Sequence, residues 1–212
     1  MIIIILGPQG SGKGTQAKLL AEKYKLFHLE AGKILREVSE GNSRIKKMID
    51  NGILISEDEM LGFVKNELKS NKINIAKIIF DGYPRTLKQY VVYKNWLKEE
   101  GQKEDCAIYL DLSEKESIRR LSARRVCDKC RQIYNLLTNP PKTNSCDECG
   151  GKLVQRDDDK PETIKKRLAL FNHETKPLLA IFDKLGILIK INGEKPIEEI
   201  FNDIVRKLSS SK

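Results

Sequence analysis

Apolar residues gather in four short runs, at 2–6, 77–80, 106–110 and 187–191, with helix-like segments of 12 or more residues between them. Strands that alternate with helices in this way predict a parallel sheet covered by helices on both faces, an α/β architecture. Helix starts are marked along the chain. Ser56-Glu57-Asp58-Glu59 and Ser113-Glu114-Lys115-Glu116 have capping-box spacing, and Pro161 and Pro196 stand where a first helical residue would. No internal repeat is present. From about Val126 to Lys160 the rhythm stops, and cysteines, Asn139-Pro140-Pro141, Gly150-Gly151 and Asp157-Asp158-Asp159 take over. A stretch of that length without a helix or strand signal predicts a functional lid or a small inserted module.

The 212 residues suffice for a substantial core, so one domain with insertions is expected. With 33 % charged and 40 % apolar residues the composition is that of a soluble globular chain, with a disordered tail expected only at Ser209–Lys212. The first apolar run has no basic region before it and no cleavage site after it, and no other run approaches membrane-spanning length. A cytoplasmic protein without a membrane partner is the expectation. A net charge of +9 suits a nucleic-acid binder, a membrane-surface protein or an enzyme of anionic small molecules. Only 11 of the 39 basic residues are arginine, so the pairs Arg119-Arg120 and Arg124-Arg125 mark places where a rigid bidentate fork is needed.

The run Ile2–Leu6 leads straight into Gly7-Pro8-Gln9-Gly10-Ser11-Gly12-Lys13-Gly14-Thr15, which reads as a buried strand, a phosphate-cradling loop and the start of a helix. Glycines let backbone N–H groups converge on an anion, and the following helix adds its positive end. Lys13 supplies a charge for the outer phosphates. Where the general motif has Ser or Thr to hold magnesium, this chain has Gly14, and the hydroxyl arrives one place later at Thr15.

Cys127-x2-Cys130 and Cys146-x2-Cys149 match the spacing of two facing zinc knuckles. Disulfides are the competing reading, disfavoured in the reducing compartment expected of a chain without a secretion signal. Four thiolates close a tetrahedral shell, so the metal is expected to be structural; iron fits the same cage. Cys106, at the start of an expected strand, reads as a small core residue.

Ile78-Ile79-Phe80-Asp81 ends a hydrophobic strand in a carboxylate, the usual partner of a phosphate loop for magnesium, and Gly82-Tyr83-Pro84-Arg85-Thr86 would aim Arg85 into the same crevice. His28 and His173, the only histidines, stand in no acid–base or metal pattern and read as surface or hydrogen-bonded structural residues. Phosphoryl transfer needs no such base, because positioning and charge neutralisation supply most of its rate.

Together with Gly32-x3-Arg36, Gln89, Arg120-x3-Arg124-Arg125, Gln155-Arg156-x-Asp158-Asp159, Glu162-Thr163-x3-Arg167 and Asn192-Gly193-x-Lys195, these motifs resemble, in order and over nearly the whole chain, the adenylate kinases of the long-lid, zinc-containing bacterial type. The resemblance implies a P-loop three-layer fold that transfers a phosphoryl group reversibly between ATP and AMP, giving two ADP. It implies that Gly10, Ser11, Gly12, Lys13, Gly14 and Thr15 hold the ATP phosphates. Arg124, Ile133, Tyr134 and Lys195 would contact ATP from the lid and the adenine side, and Arg120 would meet its phosphates. Ala31, Arg36, the backbone of Ile53, Leu54 and Ile55, Gly82, Tyr83, Pro84, Arg85 and Gln89 would hold the monophosphate. Arg156 and Arg167 would gather the phosphates at the transferring centre, and Asp81 would orient water on magnesium. Residues 126–160 would form the zinc lid, residues 30–55 a second mobile flap, and the enzyme would be a monomer.

One segment departs from the family. Where Ser-Thr-Gly-Asp is usual, this chain has Glu30-Ala31-Gly32-Lys33, and an Ala in place of the Thr resembles UMP/CMP kinases. A kinase preferring UMP or CMP, or one of relaxed specificity, is therefore the alternative. A more distant one is a zinc-knuckle nucleic-acid-binding protein with a nucleotide switch; the knuckles, however, carry no readout stripe beyond Lys129, Arg131 and Tyr134, so no nucleic-acid partner is expected.

Overall fold

A computed structural model describes residues 1–51 and 53–210, except the side chain of residue 157. Strand β1 (Ile2–Leu6) is followed by α1 (Lys13–Tyr24), β2 (Phe27–Glu30), α2 (Ala31–Glu40), α3 (Ser43–Asp50), α4 (Glu57–Ser70), β3 (Ile78–Asp81), α5 (Leu87–Glu99), β4 (Cys106–Asp111) and α6 (Glu114–Ser122). Three short strands come next, β5 (Arg124–Cys127), β6 (Ile133–Asn135) and β7 (Leu153–Val154). The chain closes with α7 (Pro161–Leu170), a π-helical turn (Phe171–Thr175), α8 (Pro177–Lys184), β8 (Leu188–Asn192) and α9 (Ile197–Ser210).

The main sheet is parallel throughout, in the order β2-β3-β1-β4-β8. Its central strand explains the continuous apolar run at the start of the sequence. Successive side chains of a strand point to opposite faces. Ile2, Ile4 and Leu6 enter one core with Val64 of α4, Tyr93 and Trp96 of α5 and Phe182 of α8; Ile3 and Ile5 enter the other with Leu20 of α1 and Ile204 of α9. Fully burying one such side chain contributes about 1.5–3 kcal/mol. The register sets Asp81 beside Ile5 on one side and Glu30 on the other, and Asp111 beside Asn192. Strand-end polar groups therefore gather along one edge, where the phosphate loop leaves β1.

Several details differ from the sequence reading. Strand β2 was not anticipated: Phe27-His28-Leu29-Glu30 is too short and mixed to show a period, and it is set by its edge pairing with β3. The segment 126–160 holds regular structure after all, a three-stranded antiparallel sheet β6-β5-β7 with strands of two to four residues. Ser56 makes no side-chain cap bond, whereas the Ser113 hydroxyl accepts from the Glu116 N–H at 3.3 Å. Pro161 is the first residue of α7 as expected, but Pro196 stands one place before α9 and lends its carbonyl to the Ile200 N–H. Of the expected tail, Ser209 and Ser210 complete α9, and Ser211 and Lys212 lie outside the described residues.

Candidate active site

The phosphate loop turns sharply out of β1 because Gly10 and Gly12 adopt left-handed φ angles of 83° and 85°, which a side chain would strain. No side chain caps α1, so its first N–H groups stay open toward an anion. Lys13 folds back over the loop: its Nζ donates to the carbonyls of Gly7 at 2.7 Å and Pro8 at 2.9 Å. Burial lowers its pKa to about 7; Asp81 opposes that shift, and Arg85, Arg167 and Arg124 add to it. A Cβ at Gly14 would stand 3.4 Å from Asp81 Oδ2, so the residue that lacks the usual hydroxyl adjoins this carboxylate. Thr15 is exposed.

Asp81 is buried at the end of β3, with His28 Nε2 3.3 Å from its Oδ2. His28 is thus a hydrogen-bonded residue of the site itself, brought there by the unanticipated β2. His173 is exposed beside Glu174. After Asp81 the chain turns through Gly82, Tyr83 and Pro84, all buried, to Arg85. Arg85 Nε donates to the Gly82 carbonyl at 2.7 Å, and Gly82 adopts a left-handed φ of 74°, which a side chain would strain. The Gln89 Oε1 accepts from the Arg85 N–H at 2.8 Å, while its Nε2 donates to the Ile55 carbonyl at 3.0 Å. Ile55 is buried, Leu54 half-buried and Ile53 exposed.

More cations arrive from other segments. Arg36 of α2 reaches Glu30 Oε1 at 2.6 Å, a pairing unseen in the sequence although Glu30 is one of the positions departing from the family pattern. Arg124 of β5 forms a bidentate pair with Asp159, at 2.7 and 2.5 Å, and Arg167 of α7 reaches Asp158 Oδ2 at 2.8 Å. Burial lowers the pKa of Arg85, of Arg167 and of Arg156, the last to about 10, and neighbouring arginines push each lower. Six cations, Lys13, Arg36, Arg85, Arg124, Arg156 and Arg167, therefore share one crevice. Glu30, Asp158 and Asp159 occupy three of their forks.

Other expected residues are placed differently. Arg120 is buried, with its guanidinium committed to Glu116 Oε1 at 2.7 Å and to the carbonyls of Gly193 at 2.8 Å and Glu194 at 3.2 Å. It fastens the turn after β8 through three of its five N–H donors. Lys195 on that turn pairs with Asp203 at 2.6 Å. Arg119 pairs bidentately with Glu116, and Arg125 caps the carbonyls of Ser122 and Arg124. Ala31 is buried at the start of α2, and Lys33 forms an exposed ion pair with Glu37 at 3.7 Å. Ile133 is exposed, whereas Tyr134 is buried against the cysteines, its hydroxyl 3.5 Å from Cys146 Sγ and accepting from the Asp147 N–H at 2.8 Å.

The sulfurs of Cys127, Cys130, Cys146 and Cys149 all lie within 4.8 Å of one another. The Cys127–Cys149 and Cys130–Cys146 separations of 3.4 and 3.5 Å are far from the bonded length of about 2.05 Å. They lie near the edge of about 3.8 Å implied by a tetrahedron of 2.3 Å zinc–sulfur bonds, so the donor set suits zinc. Gly151 belongs to this cage: a Cβ there would stand 2.6 Å from Cys127 Sγ. The Gly150-Gly151 pair after the last cysteine was its signal in the sequence.

Comparison with known proteins agrees with the site. The family model for adenylate kinase matches residues 5–187. The chain is 42% identical over 214 residues to an adenylate kinase of Methanothrix thermoacetophila, covering 99% of each chain, and 40% identical over 209 residues to one of Archaeoglobus fulgidus, covering 96% of each. An adenylate kinase of Kosmotoga olearia is 39% identical over 216 residues, covering 99% of this chain and 100% of its own. Phosphate loop, strand-end aspartate, converging arginines and these full-length matches place the chain in the adenylate kinase family, as a phosphotransferase of the nucleoside monophosphate kinase class.

Proposed function

We propose that the protein catalyses reversible transfer of the terminal phosphoryl group of ATP to AMP, giving two ADP. The observation that carries this reading is the convergence of six cations from separate segments on one crevice, far more positive charge than a single nucleotide needs. The loop amides and Lys13 bind the ATP phosphates, with Thr15 at the helix start. Arg36 and Arg85 bind the phosphate of AMP. Arg124, Arg156 and Arg167 close on the phosphoryl group in transit, where an AMP phosphate oxygen attacks the γ-phosphorus and ADP leaves on the opposite side. Magnesium entering with ATP would neutralise phosphate charge, and Asp81 would order the waters around it.

Free carboxylates hold the arginines before substrates arrive. Asp158, Asp159 and Glu30 pair with Arg167, Arg124 and Arg36, so nucleotide phosphates displace carboxylates instead of entering an unscreened cluster of like charge. Arg120 shapes the turn that carries Lys195 beside the ATP base. Residues 126–160 form a lid that shuts over ATP with Ile133 and the Tyr134 backbone, and residues 30–55 form the flap over AMP; closure keeps water from the phosphoryl group. The four cysteines would hold a zinc ion that orders the lid and takes no part in chemistry. Because one chain supplies every group, the enzyme works as a monomer, in the cytoplasm.

Gln89 supports adenine as the base. Its amide orientation is fixed by the Arg85 N–H and the Ile55 carbonyl, leaving one N–H and one lone pair side by side. That edge matches the acceptor and amino group of adenine or cytosine and opposes uracil and guanine. Ala31, which brings no hydroxyl to this pocket, favours CMP as the second substrate. Coupled assays over AMP, CMP, UMP and GMP test the assignment: AMP is turned over fastest and CMP second. Faster turnover of UMP than AMP would remove the base assignment, and no turnover of any would remove the reaction.

A further inference from the structure

The π-helical turn between α7 and α8 has no place in the reaction as described. It is held by the Lys176 N–H donating to the Phe171 carbonyl at 2.9 Å, and it ends just before Pro177, which has no N–H to continue a regular ladder. Such a turn inserts one residue into a helix and displaces every following side chain by one helical position. Here Thr175 faces inward, 5 % exposed, while the preceding Glu174 is half-buried and His173 exposed. The Thr175 hydroxyl donates to the main-chain carbonyl of Arg85, 90 residues away, at 2.8 Å.

That bond completes the fixation of Arg85. Its N–H is held by Gln89 and its Nε by the Gly82 carbonyl, both within the same loop and helix. The carbonyl is held from the segment that continues α7, the helix carrying Arg167. Burial lowers the pKa of both Arg85 and Arg167; the Arg167 charge lowers that of Arg85 further, and Arg124 and Arg36 lower that of Arg167.

We propose that Thr175 is a positioning residue for phosphoryl transfer, using the π-turn to fix the Arg85 main chain relative to the helix that carries Arg167. The inference rests on the reading that Arg85 binds substrate phosphate. A displacement of about 1 Å in a catalytic constellation can cost a hundredfold in rate, so a tether between two of its members is a place where rate is set away from the substrate.

The test is a double-mutant cycle of Thr175→Val and Arg85→Ala, with Thr175→Ser as the conservative control, each assayed below its own melting temperature. Thr175→Val should lower kcat by about tenfold or more while the KM for ATP stays within about twofold. Thr175→Ser should recover most of the rate. In the Arg85→Ala background the Val substitution should cost less than about twofold, because its target is gone. An equal loss in both backgrounds, or a Thr175→Val enzyme as fast as the parent, would overturn the proposal. If the Val variant does not fold, Thr175→Ala takes its place in the cycle with the same outcomes. Arg85→Ala alone tests the reading beneath it: full activity in that variant would refute the role of Arg85, whatever the cycle shows.

Discussion

In β1 all five side chains are buried, shared between two cores that together draw on seven helices and four other strands. In the cysteine module, among the described residues, the buried cluster is Cys127, Tyr134 and Cys146 with partly buried Leu153. Both regions supply the same crevice, the first through Lys13 and the second through Arg124. The difference teaches that a site can be assembled from parts whose stability has separate origins: apolar area in one case, four sulfurs in the other. Damage to one part should therefore leave a different signature from damage to the other.

Metal removal should separate them most. A structural zinc site contributes on the order of 10 kcal/mol to a small domain. With a chelator, amide protection over 124–154 should fall to that of an open chain while β1, β3 and β4 keep theirs, as read by hydrogen exchange. Simultaneous loss in both regions would abolish the distinction. Next in size is Ile4→Ala, which leaves a cavity between the sheet and α4–α5 and should cost about 2–5 kcal/mol in denaturant titrations. Its unfolding should remain a single transition of the core. Lys13→Ala gives the converse result: kcat/KM more than about a hundredfold lower, or about 2.7 kcal/mol, with a melting temperature equal to or above that of the parent, since a buried ammonium is removed.

A pH series probes the same lysine without mutation. In the nucleotide-free protein its pKa stands near 7, against 10.5 for a free lysine. ATP phosphates bind the charged form, so above pH 7 each binding event must take up a proton. Affinity for ATP should fall as pH rises above about 7, by up to tenfold per pH unit, with proton uptake measurable by calorimetry in buffers of different ionisation enthalpy. The stability sign is opposite: between pH 7 and 10.5 the unfolded chain holds the proton more tightly, so the nucleotide-free fold gains from this group as pH rises. The smallest effect is expected at Leu137, 52% exposed on the module surface. Leu137→Ser should change stability by no more than about 0.5 kcal/mol, because more than half of its surface already meets solvent.

Much of this was legible in sequence where chemistry depends on contiguous spacing. The phosphate loop, the strand-end Asp81 and the two cysteine pairs each carry their signal within a few residues. Less visible were features made by pairing across the fold. Strand β2 has four residues and no period of its own, so the approach of His28 to Asp81 could not be read from either segment. The acidic partners of Arg36 and Arg124 stand six residues before and 35 residues after them, distances over which local patterns are silent. Arg120 shows the opposite limit. Its motif points to phosphate, but it gives no sign that three of its five donors hold two carbonyls and a glutamate that only the folded turn brings near.

The central place of β1 also orders events during synthesis. The phosphate loop leaves the ribosome before β3 and β4, whose residues begin at 78 and 106, yet these are the strands that flank the one anchoring it. The whole segment between β1 and β4 must emerge before both edges of β1 are paired. Until then its run of isoleucines is an unpaired, fully apolar edge, the kind of segment on which nascent chains aggregate. The foundation of the nucleotide site is thus made before the strands that secure it, and the interval between is when the nascent protein most needs a chaperone.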